Sequence, residues 1–373
     1  MLRNIVIGAG ISGAVIANLI AEKLGETVLV IDKKNHIAGN CYDYRDKNGI
    51  MIHKYGSHIF HTKDEKVWKY LKQFTDFNTY MHEVVVIIDG IEAPIPFNFN
   101  TLYRVFPAGM AGRLEEKLLK NFKYNTKVPV MEFQKQKDED LKYLANYVLE
   151  KIFLNYTIKQ WGVPPENTDS AITARVPVYL SRDNRYFQDK YQGIPLEGYT
   201  KMIEKMLRHP NIKVKLNTDF GTFKKNNNLA DCRIFHTGSI DEYFNYKYGQ
   251  LPYRSVNFKL EEYDREYYQS HASVNYPDNY DFTRIHEYKH FLKDKSEKTV
   301  IAKEYSEFFV LGKNERYYPI PNGENSELYN KYAEEAKNIK NLRFLGRLGD
   351  YKYYNMDLAV SRAISLFGEI FRG

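Results

Sequence analysis

A glycine-rich turn directly after an N-terminal strand limits the folds open to this chain more than any other feature. Residues 4–7, with the apolar run Ile5-Val6-Ile7, predict a strand, and Gly8, Gly10 and Gly13 follow it and open a helical run. At such a turn the first glycine permits the tight bend, the second lets the backbone approach a pyrophosphate, and the third allows the helix to pack on the strand. The helix N-terminus also presents free N–H groups to an anion. We therefore predict that the chain opens with a unit that binds a dinucleotide.

The residues after this helix complete a βαβ unit and bear on which dinucleotide binds. Residues 27–31 predict a second strand that ends at Asp32, where a carboxylate can accept hydrogen bonds from ribose hydroxyls. This unit alone does not distinguish NAD from FAD. The turn Ala38-Gly39-Asn40 and the pair Gly346-Arg347, which precedes the last predicted helix, resemble the flavin-contacting segments of FAD proteins. A helix N-terminus at that place favours negative charge on a reduced flavin ring, so we expect FAD.

Length and composition indicate a globular protein of several units with a small anionic ligand. The 373 residues exceed the usual size of one hydrophobic core, and 43% apolar with 27% charged residues argues against disorder. The formal net charge of +7 comes from scattered lysines, which suits a small anion and does not specifically indicate a nucleic-acid groove. The 32 tyrosines suit stacking on sugars or bases, although an AT-biased genome would also raise their number.

Cysteine usage and hydropathy predict the compartment. Cys41 and Cys232 are too few for a disulfide framework, which indicates a reducing environment. We find no apolar signal segment at the N-terminus, and the most apolar stretch, Val84–Ile88, is too short to span a bilayer. We expect a cytoplasmic enzyme without membrane insertion.

The spacing of apolar residues predicts an α/β fold in which two units are inserted into the dinucleotide-binding domain. Helical spacing dominates residues 101–160, with its clearest amphipathic helix at residues 141–153. Short β-rich segments recur over residues 253–309, and a strand over residues 231–237 looks like a return to the Rossmann sheet. The predicted division is a Rossmann-like FAD-binding domain over residues 1–98, 181–245 and 316–373, a helical domain over 99–180, and an antiparallel β-sheet domain over 246–315.

Several segments carry arginine, lysine or tyrosine, and some of them place a basic residue beside an aromatic one. Arginine binds a diphosphate through two parallel hydrogen bonds, and tyrosine hydroxyls add neutral donors beside it. Any one of these segments is also explained by an exposed ion pair or a packed ring, but together they indicate an anionic substrate. They are residues 156–162, Arg175-Val176-Pro177, Arg185-Tyr186-Phe187, Tyr253-Arg254, Thr283-Arg284-Ile285, Tyr317-Tyr318-Pro319 and residues 351–354.

Taken together, the motifs resemble those of the prokaryotic UDP-galactopyranose mutases over essentially the whole chain. The most specific segments are residues 156–162 and His58-Ile59-Phe60-His61-Thr62. The resemblance implies a Rossmann-like FAD domain, a helical domain with a mobile loop, a six-stranded antiparallel sheet and a homodimer. The other segments that carry it are Gly8-Ala9-Gly10, Tyr55-Gly56-Ser57, Gly193-Ile194-Pro195, Tyr305 and Gly346-Arg347-Leu348-Gly349.

The same resemblance implies roles for individual residues. Arg175, on the mobile loop, and Arg284 would grip a diphosphate, and with Tyr353 and His61 they form the expected catalytic set. The other residues expected at the substrate are Phe153, Tyr156, Thr157, Trp161, Tyr186, Arg254, Asn275, Tyr318, Asn355 and His82. Those expected at the FAD are Gly8, Gly10, Ile11, Ser12, Gly13, Asp32, Lys33, Gly39, Asn40, His58, Ile59, Arg347, Asn355 and Met356.

The reaction implied by the resemblance is nucleophilic and involves no net redox change. Reduced flavin N5 would attack the anomeric carbon of a nucleotide-diphosphate hexose, and ring opening with reclosure through O4 would give the furanose. Paired arginines in a dry cleft would stabilise the departing diphosphate, and the protein would need no carboxylate general base. An external reductant would keep the flavin reduced.

Two residues depart from the family pattern. Asn355 stands where relatives have an acidic residue, and His82 stands where they often have asparagine. If either residue touches the sugar, a 6-deoxy, N-acetyl or heptose relative of galactose is an alternative substrate. Neutral drift is the other explanation.

One motif points to different chemistry, and two other protein classes stay open. The run His286-Glu287-Tyr288-Lys289-His290 matches the zinc-hydrolase pattern, but that pattern requires a helix, and residues 283–291 predict a strand. We therefore expect no metal. A redox flavoprotein of the amine-oxidase type would need an apolar or aromatic-caged cleft, and a noncatalytic dinucleotide sensor would not need so many diphosphate donors.

Overall fold

The computed structural model describes residues 3–161, 177–278 and 280–371, and a parallel and a mixed sheet are its main frameworks. The strands of these residues, in chain order, are β1 (Asn4–Ile7), β2 (Val28–Ile31), β3 (Asp43–Arg45), β4 (Met51–His53), β5 (Phe60–Thr62), β6 (Val84–Ile88), β7 (Ile91–Ile95), β8 (Lys127–Pro129), β9 (Pro177–Tyr179), β10 (Tyr191–Gly193), β11 (Ile212–Lys215), β12 (Arg233–His236), β13 (Tyr253–Tyr263), β14 (Ser273–Asn275), β15 (Arg284–Glu287), β16 (Thr299–Phe308), β17 (Tyr318–Pro319) and β18 (Leu342–Phe344).

The helices of the same residues include several short turns. In chain order they are α1 (Ile11–Leu24), α2 (Glu65–Leu71), α3 (Phe99–Val105), α4 (Ala108–Asn121), α5 (Met131–Gln134), α6 (Glu139–Val148), α7 (Asn155–Trp161), α8 (Tyr199–Leu207), α9 (Phe220–Asn226), α10 (Ile240–Tyr243), α11 (Lys289–Leu292), α12 (Gly323–Lys337), α13 (Gly346–Gly349) and α14 (Met356–Phe371). A 3₁₀ turn spans Gly39–Cys41, and a π-helical segment spans Leu149–Leu154. No helix in the described ranges is long and apolar enough to cross a membrane.

The parallel sheet confirms the predicted Rossmann-like unit. Its order is β11-β2-β1-β12-β18, and every neighbouring pair is parallel. Helix α1 begins just after the glycine turn and packs against α8 and α14. Because neighbours cover it on several sides, residues 11–21 are all buried, which explains why α1 is apolar on every face.

The helical unit has its own core and carries part of the site at one end. Leu114, Leu141, Leu144 and Val148 pack in a buried cluster that includes strand residues of β6 and β7. The predicted helix over residues 141–153 is longer in the structure, since α6, the π-helical segment and α7 run on without a break. This continuous run positions the side chains of the α7 N-terminus.

The second sheet corrects the expected count of six antiparallel strands. It has seven strands in the order β17-β13-β16-β15-β14-β6-β7, and β14 pairs with β6 in parallel. Two of the seven strands form the hairpin β6–β7, whose turn at Asp89 and Gly90 has positive φ at both residues. Local sequence patterning could not place this hairpin in the sheet, because the pairing of β6 with β14 joins residues almost 190 positions apart. The predicted domain boundaries stay a prediction.

Candidate active site

A cleft of about 1260 Å³ opens at the carboxyl ends of the parallel strands. Gly8 follows β1, Asp32 follows β2, Thr237 follows β12 and Gly346 comes shortly after β18, and all four residues line the cleft. In open α/β sheets this edge is where ligands bind, because the strand ends and helix N-termini converge there. The cleft is therefore the candidate cofactor site.

The glycines that line the cleft form a cradle that a dinucleotide would fit. Gly8 has φ of +103°, and an added Cβ would lie 2.0 Å from the Thr237 hydroxyl oxygen. Gly39 has φ of +53°, and a Cβ there would lie 3.0 Å from the Cα of Gly10. These close approaches leave the backbone of the turn bare, as approach to a pyrophosphate requires.

Asp32 lines the cleft and also holds the glycine turn in shape. One carboxylate oxygen accepts the N–H of Ala9 at 2.8 Å, and the other accepts the N–H of Lys34 at 2.8 Å. Each carboxylate oxygen retains a second acceptor site, so this pattern is compatible with additional bonds from ribose hydroxyls. The sequence pattern did not indicate the contacts to the turn.

Most of the predicted cofactor residues line this cleft. Gly13 does not line the cleft, because it packs closely against the glycine turn: a Cβ added at Gly13 would lie 1.9 Å from the carbonyl oxygen of Gly8. Ile59 also lies outside the lining and packs partly buried against the main core. The predicted residues that do line the cleft are Gly8, Gly10, Ile11, Ser12, Asp32, Lys33, Gly39, Asn40, His58, Arg347, Asn355 and Met356.

His58 lines the cleft as a neutral imidazole. Burial, with positive charge nearby, lowers the pKa of His58 to about 3. Its Nδ1 lies 2.7 Å from the carbonyl oxygen of Gly56, which assigns the proton to Nδ1, while its backbone N–H donates to His53 Nδ1 at 3.1 Å. The ring therefore adds no charge to the cleft at neutral pH.

Arg347 joins the cleft to a group of tyrosines. It donates two hydrogen bonds to the carbonyl oxygen of Tyr354, at 3.1 and 2.8 Å, which fix the guanidinium. The guanidinium lies 5.1 Å from the ring centre of Tyr318 and 5.5 Å from that of Tyr353. The two rings lie 5.2 Å apart at an angle of 34°, so two phenols are grouped around an arginine that lines the cleft.

Arg284 lies at the centre of a second group of donors. Its guanidinium donates to the hydroxyl of Tyr156 and forms an ion pair with Glu304, with 3.5 Å between Nε and a carboxylate oxygen. Its charge also interacts with Tyr186, which in turn interacts with Tyr353. Burial raises the pKa of Tyr156 to about 12, so its hydroxyl stays protonated and can donate. A fixed arginine with neutral hydroxyls around it is suited to binding a dianionic group.

Comparison with known proteins gives a consistent assignment. A sequence profile described as UDP-galactopyranose mutase matches residues 151–353, and one described as an NAD(P)-binding Rossmann-like domain matches residues 6–74. A probable UDP-galactopyranose mutase of Klebsiella pneumoniae is 37% identical, covering 98% of this chain and 94% of the relative. The chain belongs to the UDP-galactopyranose mutase family. As a member of that family it is an isomerase.

Other relatives of this mutase widen the comparison. A UDP-galactopyranose mutase of Mycoplasma genitalium is 35% identical over 96% of this chain and 92% of its own length. A dTDP-fucopyranose mutase of Escherichia coli is 33% identical over 98% of this chain and 97% of its own length. A solved reduced UDP-galactopyranose mutase superposes with a TM-score of 0.74 at 15% identity, covering 100% of this chain and 96% of that chain. A protoporphyrinogen oxidase structure from Exiguobacterium has a TM-score of 0.62 at 12% identity, covering 99% and 98% of the two chains, which shows a shared fold alone.

His61 of the mutase lies in a polar pocket that sequence analysis did not predict. Its Nδ1 lies 2.5 Å from a carboxylate oxygen of Asp189, and its ring stacks on Phe187 with 3.6 Å between ring centres. Asn355, which lines the cleft, has its amide nitrogen 3.4 Å from His61 Nε2. Asp189 was part of no motif, and Phe187 was noted only within Arg185-Tyr186-Phe187, because both residues reach His61 through the pairing of β10 with β5.

His82 lies beside this pocket and is buried, 4% exposed. Its Nδ1 is 3.0 Å from the Tyr80 hydroxyl, and its ring lies 6.0 Å from that of Tyr186 and 6.1 Å from that of Phe187. Burial, together with the charge of Arg284, lowers the pKa of His82 to about 3. A neutral histidine therefore stands behind the tyrosine donors.

The remaining predicted substrate residues lie on or beside α7. Phe153 and Thr157 are both 4% exposed. Arg254 supports the helix end, because it donates to the carbonyl oxygens of Gln160 and Lys159 at 2.9 and 3.1 Å. Asn275 pairs with Arg284 across the strands, and its side-chain oxygen is buried without a hydrogen-bond partner in the described chain.

Two of the predicted residues lie partly or wholly outside the described structure. Trp161 is the last residue of α7, and its side chain lies outside what the structure describes. Arg175, expected on the mobile loop, falls within residues 162–176, which lie outside the described residues.

The zinc-like motif is divided between two elements. His286 lies in β15 and contacts Glu304, whereas His290 lies in α11 and contacts Glu287 at 3.2 Å. The expectation that the two imidazoles lack the geometry of one helix face is confirmed. The predicted strand over residues 283–291 was wrong in its second half, because the chain turns into α11 after Glu287.

Proposed function

We propose that this mutase binds FAD noncovalently and interconverts the pyranose and furanose forms of a nucleotide-diphosphate hexose. The observation that carries the proposal is the group of Arg284, Tyr156, Tyr186, Tyr318 and Tyr353 beside the dinucleotide cleft. A nucleotide sugar would span both places, with its anomeric carbon near the flavin and its diphosphate at Arg284. UDP-galactose or a close relative is the proposed substrate.

The cleft supports FAD as the dinucleotide. The glycine cradle would hold the pyrophosphate, and Asp32 would accept from the ribose. When bound and reduced, the flavin supplies the nucleophile of the reaction. Neutral His58 and cationic Arg347 line the wall, and a positive charge there favours the anionic form of a reduced ring.

Electrostatic stabilisation of the leaving diphosphate is the protein's main contribution to the reaction. Arg284 has one side paired with Glu304, while its other side meets the Tyr156 hydroxyl. Hydroxyls of Tyr186, Tyr318 and Tyr353 would donate to the phosphate oxygens, because burial raises the pKa of Tyr186 and of Tyr318 and keeps those hydroxyls protonated. Arg175 is proposed as the second arginine, by family resemblance.

His61 is the proposed hydrogen-bond acceptor near the sugar. His61 would keep its proton on Nδ1, donated to Asp189, and would present Nε2 towards Asn355. We propose that Asn355 and His82 help to determine which sugar the enzyme accepts. A relative named dTDP-fucopyranose mutase makes a 6-deoxy sugar the first alternative to galactose.

The physiological setting is proposed on family resemblance. The enzyme would act as a cytoplasmic homodimer, and an external reductant would keep its flavin reduced. Sedimentation of the purified enzyme at several concentrations would test the dimer.

The decisive experiment mixes dithionite-reduced protein with UDP- and dTDP-hexoses and separates pyranose from furanose products by chromatography. Interconversion that requires reduction would support the mutase and identify the sugar. Flavin reoxidation that consumes a substrate, with no ring interconversion, would instead favour a redox flavoenzyme.

A further inference from the structure

The carboxylate of Glu304 lies directly across the sheet from Arg284. The two residues are paired in the register of β15 and β16, so their side chains share one face. Glu304 is 6% exposed, and an ionised group this deeply buried is costly unless its neighbours compensate for it. We therefore expect the neighbours of Glu304 to compensate its charge through hydrogen bonds or ion pairs.

Both carboxylate oxygens of Glu304 have partners. One oxygen accepts the Thr283 hydroxyl at 3.0 Å and faces Arg284 Nε at 3.5 Å. The other lies 2.9 Å from His286 Nε2. The carboxylate is thus held from two directions while it faces the guanidinium.

The imidazole of His286 is held by Ser57, the residue before His58, which lines the cleft. Its Nδ1 lies 2.8 Å from the hydroxyl of Ser57, which precedes His58 in the chain. An Nε2–H that donates to Glu304 leaves Nδ1 as the acceptor for Ser57, so both ring nitrogens are satisfied. Burial lowers the pKa of His286, so the ring is neutral and Glu304 carries the only formal charge of the two.

Charge favours the same arrangement. Burial opposes ionisation of Glu304, but the positive charge of Arg284 outweighs it, and the pKa of Glu304 is lowered to about 2. For Arg284, burial opposes the charge and Glu304 outweighs it, so its pKa is raised above the usual range. Both groups are therefore charged across the working pH range.

This pairing determines which edge of the guanidinium is available. Nε faces Glu304, and Nη2 donates to the hydroxyl of Tyr156, so the orientation of the guanidinium is fixed by both partners. An arginine binds a phosphate best through two parallel N–H groups, and an edge fixed beforehand loses less rotamer entropy on binding. A flexible or unpaired guanidinium would not present two parallel N–H groups beforehand, and it would lose more rotamer entropy on binding.

We propose that Glu304 is the positioning residue for Arg284, held by His286 and Ser57, so that the guanidinium is oriented for the diphosphate of a nucleotide before the ligand arrives. The inference rests on the proposed diphosphate role of Arg284. Glu304 acts through Arg284 and does not itself contact the nucleotide. Removal of its charge therefore weakens diphosphate recognition specifically.

Isothermal titration of flavin-loaded oxidised protein with UDP and with uridine tests this inference. Glu304→Gln keeps the shape but removes the charge, and we expect UDP affinity to fall about tenfold while uridine affinity changes less than about twofold. Flavin absorbance per protein should equal that of the wild type. The matched control is Glu262→Gln, since Glu262 lies on neighbouring β13 in an exposed ion pair with Lys47.

A double-mutant cycle separates positioning from a general structural effect. In the Arg284→Ala background, Glu304→Gln should change UDP affinity less than about twofold, because the group through which it acts is gone. Should Glu304→Gln lose flavin or melt early, Glu304→Asp takes its place, since it keeps the charge but moves it away from Nε.

The outcomes are distinguishable. Full UDP affinity in Glu304→Gln, equal losses for UDP and uridine, or an undiminished effect in the Arg284→Ala background would each overturn the positioning role. If Arg284→Ala itself binds UDP as tightly as the wild type, the proposed diphosphate role of Arg284 fails instead.

Discussion

The Nδ1 atom of His61 lies 2.5 Å from a carboxylate oxygen of Asp189, and the two residues are 128 positions apart in the chain. A carboxylate at this nitrogen holds the proton on Nδ1 and leaves Nε2 as an acceptor facing Asn355. An amide in its place could donate to Nδ1 and reverse the tautomer. The Asp189 carboxylate therefore determines whether Nε2, the ring nitrogen of His61 that faces Asn355, is a hydrogen-bond acceptor.

We expect Asp189→Asn to lower kcat about 10- to 100-fold with little change in UDP affinity, because Nε2 of His61 would carry the proton and would no longer be an acceptor. Steady-state rates of the reduced enzyme, with UDP titrations, measure the two quantities. Asp183→Asn is the matched control, since Asp183 lies in the same segment and pairs with partly exposed Arg185. A kcat equal to that of the control would contradict the role of this pair.

Substitution of Arg284 tests the diphosphate site. Arg284→Ala should lower kcat/KM about 100- to 1,000-fold and leave the yellow flavin bound, because the arginine lies outside the cofactor cleft. Arg182→Ala, which removes an arginine paired with Glu115 at the surface, is the control. Normal turnover by Arg284→Ala would reject the role, whereas loss of flavin would show a structural effect instead.

Two glycine-to-alanine changes should have opposite effects on stability. At Gly13 an added Cβ would lie 1.9 Å from the backbone oxygen of Gly8, so Gly13→Ala should cost about 1–3 kcal/mol and lower flavin content. At Gly109, in the exposed part of α4, a Cβ meets nothing within 4 Å, so Gly109→Ala should stabilise by about 0.5–1 kcal/mol. Urea unfolding curves and the ratio of flavin to protein absorbance check both. Equal stability of the two variants would contradict the packing account of Gly13.

Sugar preference should respond to residue 355. Asn355→Asp places a negative charge at the cleft beside His61, and we expect the ratio of kcat/KM between two UDP-hexoses to change about tenfold. A panel of UDP- and dTDP-hexoses measures the ratios. An unchanged substrate profile would show that residue 355 does not read the sugar.

Buried neutral histidines, among them His53, His82 and His236, should make the protein sensitive to mild acid. Burial lowers the pKa of His53 and of His82 to about 3 and that of His236 to about 4. Below the unfolded-state pKa, near 6.5, the unfolded chain binds protons that the native state does not, so stability falls as pH decreases from 6.5 towards 4. Each such histidine costs about 1.4 kcal/mol at pH 5.5.

Chemical denaturation at pH 7.5 and 5.5 tests this sign. His82→Asn should lose less stability over that interval than the wild type does, by about 1.4 kcal/mol. His209→Asn, at a partly exposed histidine near Glu22, is the control. A loss in His82→Asn equal to that of the wild type would contradict a buried neutral His82.

Several elements were predictable because their physics is local. A glycine with φ of +103° at residue 8 and a turn at Asp89-Gly90 each follow from backbone sterics that neighbouring residues express directly. Alternating or helically spaced apolar residues likewise predicted α14, β12 and β13. The cleft at the strand ends followed from these elements, since the glycine pattern specifies both the turn and the surface that it leaves bare.

Other features could not be predicted because they depend on which distant segments pair. Glu304 lies opposite Arg284 only because β16 pairs with β15 in one particular register. Asp189 meets His61 through β10 and β5, and β6 joins the mixed sheet in parallel with β14. A shift of one residue in such a pairing would turn every side chain to the opposite face.

The sequence by itself determined the dinucleotide-binding unit and the resemblance to the mutase family, because both rest on short motifs whose geometry is set by adjacent residues. Only the tertiary structure decided which carboxylates hold Arg284 and His61, since a buried charge acquires its partner through long-range strand register. Pairing between distant segments is the physical reason for the difference, because its free energy comes from the whole sheet and not from any local motif.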